Sequence, residues 1–197
     1  MEILIEQFKA QGWLDWTLLI TAIFYIILAA RENIWCWFWG IISCSLWAVV
    51  SFRGKLYADA VLQLYYVAIS FWGIYEWKFK PQEENKEALP ITRLTIQQHL
   101  KIIVIGILLS LPFGYFLKGY TDAAATYLDS VTSVFAIITT VLVARKILEN
   151  WIYWIIIDGV YIYLYGSRGM LMTAVIMVIY VIISVFGYFN WRKILVQ

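Results

Sequence analysis

The stretch NWIYWIIIDGVYIYLY, residues 150–165, is apolar enough to lie in lipid, yet it carries a carboxylate at Asp158. Its aromatic and acidic side chains recur every three or four positions, which places on one helix face Trp151, Trp154, Asp158, Tyr161 and Tyr165. A carboxylate in the middle of a membrane costs about 3 kcal/mol on insertion scales, so it persists where it faces a cavity, a partner or a ligand. This face predicts half of a pocket for a flat, positively charged ring. The alternative is an interfacial belt of Trp and Tyr, with Asp158 capping the helix or pairing with a neighbour.

The composition indicates a membrane protein. Of the 197 residues, 63% are hydrophobic, and the mean hydropathy is +0.77. A soluble domain of this size has nowhere to bury so much apolar surface, so we expect an all-α integral membrane protein. The net charge of +2 gives no reason to expect a nucleic-acid partner. Cys36, Cys44 and the single histidine, His99, do not form a metal-binding pattern, and we expect no metal or other cofactor.

Seven hydrophobic runs are close to the length of about 20 residues that a bilayer requires. They predict transmembrane helices at 14–30, 34–52, 56–77, 100–117, 127–144, 151–165 and 170–190. Residues 78–99 are rich in Glu, Lys and Gln and contain two prolines, which is typical of a linker in water. We expect a short surface helix to begin near Thr95.

Matching residues recur at a constant offset of 114 positions. The pairs include Trp37 with Trp151, Gly73 with Gly187, and Trp77 with Trp191. Such an offset predicts two copies of a three-helix unit that cross the membrane in the same direction, with one linking helix between them. We therefore divide the chain into a first repeat at 1–79, a cytoplasmic linker with its central helix at 80–118, and a second repeat at 119–197. This 3+1+3 parallel repeat is typical of transporters.

The distribution of Lys and Arg predicts the orientation. If the N-terminus lies outside, five of these residues fall on the outer side and ten on the inner side. Because cytoplasmic loops carry the excess of positive charge, we expect the N-terminus outside and the C-terminus in the cytoplasm.

The two halves differ at polar positions, as a symmetric scaffold must where it binds an asymmetric molecule. Trp154 corresponds to Gly40, and Asp158 corresponds to Cys44. One helix face in each half carries further candidates, namely Asp59, Gln63 and Tyr66 in the first and Thr173 and Tyr180 in the second. We expect these faces to line one cavity near the middle of the membrane, together with Trp37, the counterpart of Trp151. The alternatives are an interhelical hydrogen bond for Gln63 and an N-terminal cap for Asp59.

The charge pattern predicts the kind of solute. No Lys or Arg falls within the predicted membrane cores. A phosphorylated solute requires fixed positive charge or helix N-termini, whereas a carboxylate among aromatic faces suits a cationic ring, through cation–π attraction of about 1–2 kcal/mol per contact. The predicted solute is small, aromatic, cationic or neutral, and unphosphorylated.

Several segments resemble the PnuC family of vitamin transporters: NIWCWFWGIIS (33–43), KLYADAVLQLYYV (55–67), FWGIYEW (71–77), ENWIYWIIIDGVYIYLY (149–165) and GMLMTAVIMVIY (169–180). The most specific part is the WxxW pair Trp151 and Trp154, followed by Asp158. The resemblance implies a SWEET-like seven-helix fold in the bacterial inner membrane, commonly a homotrimer. It also implies uptake of nicotinamide riboside by facilitated diffusion, with a cytoplasmic kinase that traps the product. The two WxxW tryptophans and Gln63 are then expected at the ligand.

Three alternatives stay open on the sequence. Related family members carry thiamine or riboflavin, and the charge pattern favours the cationic thiamine over riboflavin. Proton-coupled transport is the closest alternative mechanism, since Asp59 or Asp158 could carry a proton. A membrane-embedded enzyme would require an acid, a base and a nucleophile that converge, and the scattered carboxylates do not form such a set, so we expect no enzyme.

Overall fold

The computed structural model describes residues 2–55, 57–79, 89–120 and 126–196. Eight α-helices follow one another: α1 (Glu2–Ala10), α2 (Trp13–Ala30), α3 (Trp35–Arg53), α4 (Tyr57–Ile74), α5 (Ile96–Tyr120), α6 (Thr126–Ala144), α7 (Asn150–Ser167) and α8 (Leu171–Val196). A π-helical turn at Tyr75–Phe79 extends α4. Within the described ranges the β-structure is limited to an isolated bridge between Thr92 and Ile147. The fold is all-α.

Five of the described helices are long and apolar enough to cross a membrane: Trp13–Ala30, Trp35–Arg53, Ile96–Phe116, Tyr127–Ala144 and Leu171–Val196. Large apolar side chains cover their outer faces, among them Leu108 on α5 and Phe186 on α8. Apolar side chains on the outside of a helix bundle require a lipid surround. The chain is therefore a multi-pass, all-α membrane protein, as its composition predicts.

The helix that was not expected is α1. It is separated from α2 by Gly12, whose amide donates to the Asp15 carboxylate at 2.9 Å and so satisfies one free donor at the start of α2. The Gln7 side chain reaches the far end of the chain, where it donates to the Gly169 carbonyl at 2.8 Å and accepts from the Met172 amide at 2.9 Å. This contact joins α1 to the start of α8.

Tryptophan rings packed on glycines join the helices within each half. A Cβ added at Gly73 of α4 would lie 2.4 Å from the Trp37 ring of α3, and one added at Gly187 of α8 would lie 2.8 Å from the Trp151 ring of α7. Each indole therefore lies directly on a glycine backbone, closer than any other residue would allow. The two contacts are separated by 114 positions along the chain.

At one end of the bundle, two buried tryptophans hydrogen-bond the backbone of the opposite half. The Trp77 indole donates to the Ala144 carbonyl, and the Trp191 indole donates to the Ala29 carbonyl, each at 3.0 Å. Asn190 adds a bond to the Ala30 carbonyl at 2.9 Å. These residues form the main core cluster with Trp37 and Trp151, so the core lies where the two halves meet.

An ion pair lies at the same end. Glu32 and Lys146 follow the ends of α2 and α6, with φ values of 56° and 51°. This left-handed conformation belongs to a Schellman cap in each case, since the Glu32 and Lys146 amides donate to the Ala29 and Val143 carbonyls and the following amides donate to the Leu28 and Leu142 carbonyls. The Lys146 Nζ lies 2.6 Å from the Glu32 Oε1 and 4.6 Å from the centre of the Trp77 ring. The buried Lys146 ammonium therefore has a counter-charge in the Glu32 carboxylate.

The described part of the linker folds back onto the start of α7. Thr92 exchanges two backbone hydrogen bonds with the segment before α7, to the Lys146 carbonyl and from the Leu148 amide. The Glu149 carboxylate accepts from Arg93 at 3.1 Å and from the Leu94 amide at 2.9 Å. Residues 91–94 thus hold the loop from which the aromatic face of α7 begins.

Candidate functional site

The polar face of α7 lies inside the bundle. Asp158 is 3% exposed, and within the described residues its carboxylate has no hydrogen bond or ion pair. One turn further on, Tyr161 stacks on Tyr165 with ring centres 5.6 Å apart, and its phenol lies beside Thr132 and Ser133 of α6. A buried carboxylate without a counter-charge is costly, so this position is poised for a cation or a hydrogen-bond donor.

Three tyrosines connect Asp158 to the first half of the chain. Tyr180 of α8 lies within electrostatic range of the Asp158 carboxylate, and Tyr66 of α4 lies within range of Tyr161. Cys44 of α3 is close to both Tyr66 and Tyr180. We call these five residues, Cys44, Tyr66, Asp158, Tyr161 and Tyr180, the central cluster. Four of them were expected at the site from the sequence, and the structure brings them together.

The tyrosines of the central cluster are not fully buried. Tyr66, Tyr161 and Tyr180 lie deep inside the protein, yet each keeps part of its surface accessible. Trp154 is also half-buried, and its ring packs between the main core and the smaller cluster around Leu142 and Ile157.

Trp37 and Trp151 lie elsewhere. They are 0% and 1% exposed, and their rings fill the core between helices. Trp151 meets Trp191 edge-on at 5.4 Å, and Trp37 meets Trp77 in the same way at 5.5 Å. Both indole N–H groups are buried without a partner in the described structure. Their contact with a ligand stays a prediction, since both rings are packed in the core of this structure.

Three other candidates lie around the cluster. Gln63 is half-buried, and its amide makes no hydrogen bond to any described residue. No contact therefore supports the alternative of an interhelical hydrogen bond. Asp59 is exposed in the first turn of α4, within electrostatic range of Tyr165. Thr173 is half-buried near the start of α8. Both Asp59 and Thr173 belong to the end of the bundle opposite the Glu32–Lys146 pair.

Other kinds of site are not evident in the described part of the chain. It contains no group of three His, Cys, Asp or Glu residues that could hold a metal ion. A surface groove of about 280 Å³ between α3 and α4 is lined by apolar side chains and Arg53, and it includes none of the predicted site residues. A groove of this kind among lipid-facing helices does not resemble a site for a polar solute.

Comparison with known proteins identifies the family. The model of the nicotinamide mononucleotide transporter family matches residues 12–193. The chain belongs to this family. The match covers all helices from α2 to α7 and most of α8.

Relatives in the family carry related names. The nicotinamide riboside transporter PnuC of Neisseria mucosa is 28% identical over 197 residues, covering 95% of this chain and 74% of that protein. The nicotinamide riboside transporter PnuC of Escherichia coli is 24% identical, covering 91% of this chain and 85% of its own length. A crystal structure of the vitamin B3 transporter PnuC superposes with a TM-score of 0.75 at 27% identity, covering 98% of this chain and 88% of the solved chain. These relatives are transporters by name, as expected for a chain that is not an enzyme.

Proposed function

We propose that this chain is a membrane transporter that takes up nicotinamide riboside. The observation that carries the proposal is the buried Asp158 carboxylate, which has no ion pair among the described residues. It lies beside Tyr161 and Tyr180, and Tyr66 lies next to Tyr161. A cationic pyridinium ring gains from both features, since aromatic faces attract a cation and the carboxylate balances its charge. The names of the relatives in Neisseria mucosa and Escherichia coli agree with this substrate.

The cluster favours the riboside over the phosphorylated mononucleotide named in the family description. A phosphate group binds where Arg, Lys or helix N-termini converge. Lys146, the buried cation nearest in the chain to α7, is already paired with Glu32 at the end of the bundle. An unpaired carboxylate beside a phosphate would repel it, so the described residues of the cluster suit an unphosphorylated solute.

The proposed architecture has seven spans, α2 to α8, in a SWEET-like 3+1+3 parallel repeat of 1–79, 80–118 and 119–197. Helices α4 and α7 add to the five clearly apolar spans and bring the number to seven. Their lower apolar content comes from polar residues of the proposed site. The matched contacts of Trp37 with Gly73 and of Trp151 with Gly187 support the repeat. With the N-terminus outside, the Glu32–Lys146 end faces the cytoplasm of a bacterial inner membrane.

The proposed mechanism is facilitated diffusion. The two halves rock about the central cluster, a cytoplasmic kinase traps the imported riboside by phosphorylation, and the chain assembles as a homotrimer. Proteoliposomes with an imposed pH gradient test this mechanism. Facilitated diffusion only equilibrates labelled riboside in the absence of a kinase, whereas accumulation above the external concentration would establish proton coupling.

Binding to the purified protein tests the substrate. Calorimetric titration with nicotinamide riboside, thiamine and riboflavin should show binding of the riboside, and Trp154→Ala should weaken it at least tenfold by removing a half-buried aromatic face. Trp35→Ala is the matched control, because Trp35 is exposed on the outside of α3. Binding of thiamine alone would support a site for a cationic ring but would show that the substrate is thiamine. A folded protein that binds none of the three would refute the proposal.

A further inference from the structure

The second half contributes Trp154 to the site, and the equivalent position of the first half is Gly40. The space beside Gly40 is filled by another ring. A Cβ added at Gly40 would lie 3.1 Å from Cδ2 of Tyr25 on α2 and 3.2 Å from the Ser70 Oγ of α4. Tyr25 therefore lies on the Gly40 backbone, where a larger residue would displace it.

The two halves exchange the positions of their large and small residues. The counterpart of Tyr25 at the 114-residue offset is Thr139 on α6, which is fully buried. The first half thus packs Tyr25 of α2 on Gly40 of α3, and at the corresponding positions the second half has Thr139 on α6 and Trp154 on α7. Each half supplies one large aromatic side chain, but from a different helix.

Tyr25 is connected to the central cluster. Its phenol lies within electrostatic range of Cys44 and Tyr66, and its ring meets Trp37 edge-on at 6.2 Å. Tyr25 is half-buried, as are the tyrosines of the cluster. Its hydroxyl makes no hydrogen bond to any described residue. A phenol at such depth normally has a partner, so its donor is free for a ligand.

We propose that Tyr25 contacts the substrate, as the counterpart in the first half of Trp154. Its ring forms part of the cavity wall, and its hydroxyl bonds a polar group of the solute. The glycine at position 40 is required because it lets this ring reach the cavity. This inference rests on the proposed function, since it places Tyr25 in the cavity that carries the vitamin.

The test compares two conservative substitutions by calorimetry. Tyr25→Phe keeps the ring and removes the hydroxyl, so the affinity for nicotinamide riboside should fall about fivefold, equivalent to about 1 kcal/mol for one hydrogen bond. Gly40→Ala leaves Tyr25 intact but places a methyl group 3.1 Å from its ring, and it should weaken binding in the same direction. Tyr163→Phe is the matched control, because Tyr163 is exposed on the outer face of α7 and should bind as the wild type does.

The outcomes separate this inference from the proposed function. If the wild type binds the riboside and Tyr25→Phe binds it equally well, Tyr25 does not contact the substrate, whatever the change in melting temperature. If the wild type binds thiamine instead, the affinity of Tyr25→Phe for thiamine is compared with that of the wild type. An unchanged affinity would then show that Tyr25 does not contact the substrate. If the folded wild type binds no vitamin, the proposed function fails and the inference fails with it.

Discussion

At the scale of single residues, Asp158 should act in opposite directions on stability and on binding. Its carboxylate is 3% exposed and has no ion pair among the described residues. Asp158→Asn removes a buried charge, so the ligand-free protein should melt at a higher temperature in detergent. The same change removes the counter-charge of the cationic ring, and the affinity for nicotinamide riboside should fall about tenfold, or about 1.4 kcal/mol.

Asp15→Asn is the control for this prediction. Asp15 is exposed in the first turn of α2, and asparagine keeps an acceptor for the Gly12 amide. The variant should leave the affinity unchanged. If Asp158→Asn bound the riboside as tightly as the wild type does, the carboxylate would not face the bound cation.

The sequence predicted some of the residues around Asp158 but not which tryptophans are buried in the core. Spacing along α7 and α8 placed Asp158, Tyr161 and Tyr180 on inward faces, and the structure brings them together. Spacing alone could not separate Trp151 from Trp154, because the two lie on one face, and only packing on Gly187 buries the first. Tyr25 carries no signal in its own helix. It becomes visible when Gly40 and Thr139 are compared with their counterparts at the 114-residue offset.

At the scale of helices, most boundaries followed from hydropathy. The predicted spans 14–30 and 127–144 differ from α2 and α6 by one residue at one end, and 34–52 differs from α3 by one residue at each end. The apolar runs end at charged or glycine-containing turns, which break both the hydrophobic pattern and the helix. The short α1 was not predicted, and it is joined to the start of α8 through Gln7. The helix expected to begin near Thr95 begins at Ile96, but it continues into α5 and contacts α7 through His99 instead of forming a separate surface helix.

The glycines under the tryptophans should be essential to helix packing. Gly73→Ala and Gly187→Ala would place a Cβ 2.4 Å and 2.8 Å from an indole ring, so each should destabilise the fold by about 1–3 kcal/mol through overpacking. Gly159→Ala is the matched control, because nothing lies within 4 Å of the added Cβ. It should stabilise α7 by up to about 1 kcal/mol, since glycine is a poor helix former.

Melting temperatures of the three variants in one detergent provide the measurement. Equal behaviour of Gly187→Ala and Gly159→Ala would mean that Trp151 moves aside at little cost. The core contact would then not be what holds α7 against α8.

At the scale of the whole molecule, the two halves are joined most firmly at the Glu32–Lys146 end. The pair is 2.6 Å apart, and the Trp77 and Trp191 indoles bond carbonyls of the opposite half beside it. At the other end, Gln7 bonds the backbone of Gly169 and Met172, and the Arg168–Asp129 pair at 2.7 Å lies within the second half. In the proposed orientation, release of the solute to the cytoplasm separates the halves at the Glu32–Lys146 end.

Glu32→Gln should therefore shift the protein towards a state that is open at this end. It leaves the Lys146 ammonium, whose side chain is 4% exposed, without its counter-charge. The Glu32 side chain is 21% exposed, so solvent reduces the effect. A loss of about 1.4 kcal/mol in the closed state would still change the ratio of closed to open molecules tenfold. The readout is labelling of a cysteine at the buried position Ala30 by a membrane-impermeant thiol reagent, in a chain whose Cys36 and Cys44 are replaced by alanine.

Labelling should become faster in Glu32→Gln and slow again when the charges are exchanged as Glu32→Lys with Lys146→Glu, because the exchange restores the attraction across the gap between the halves. Asp129→Asn breaks an ion pair of similar length within one half, and it should leave the labelling rate at position 30 unchanged. Equal rates in the wild type, Glu32→Gln and the charge exchange would show that the pair does not hold this end closed. The hydrogen bonds from the Trp77 and Trp191 indoles to backbone carbonyls would then hold the two halves together at this end.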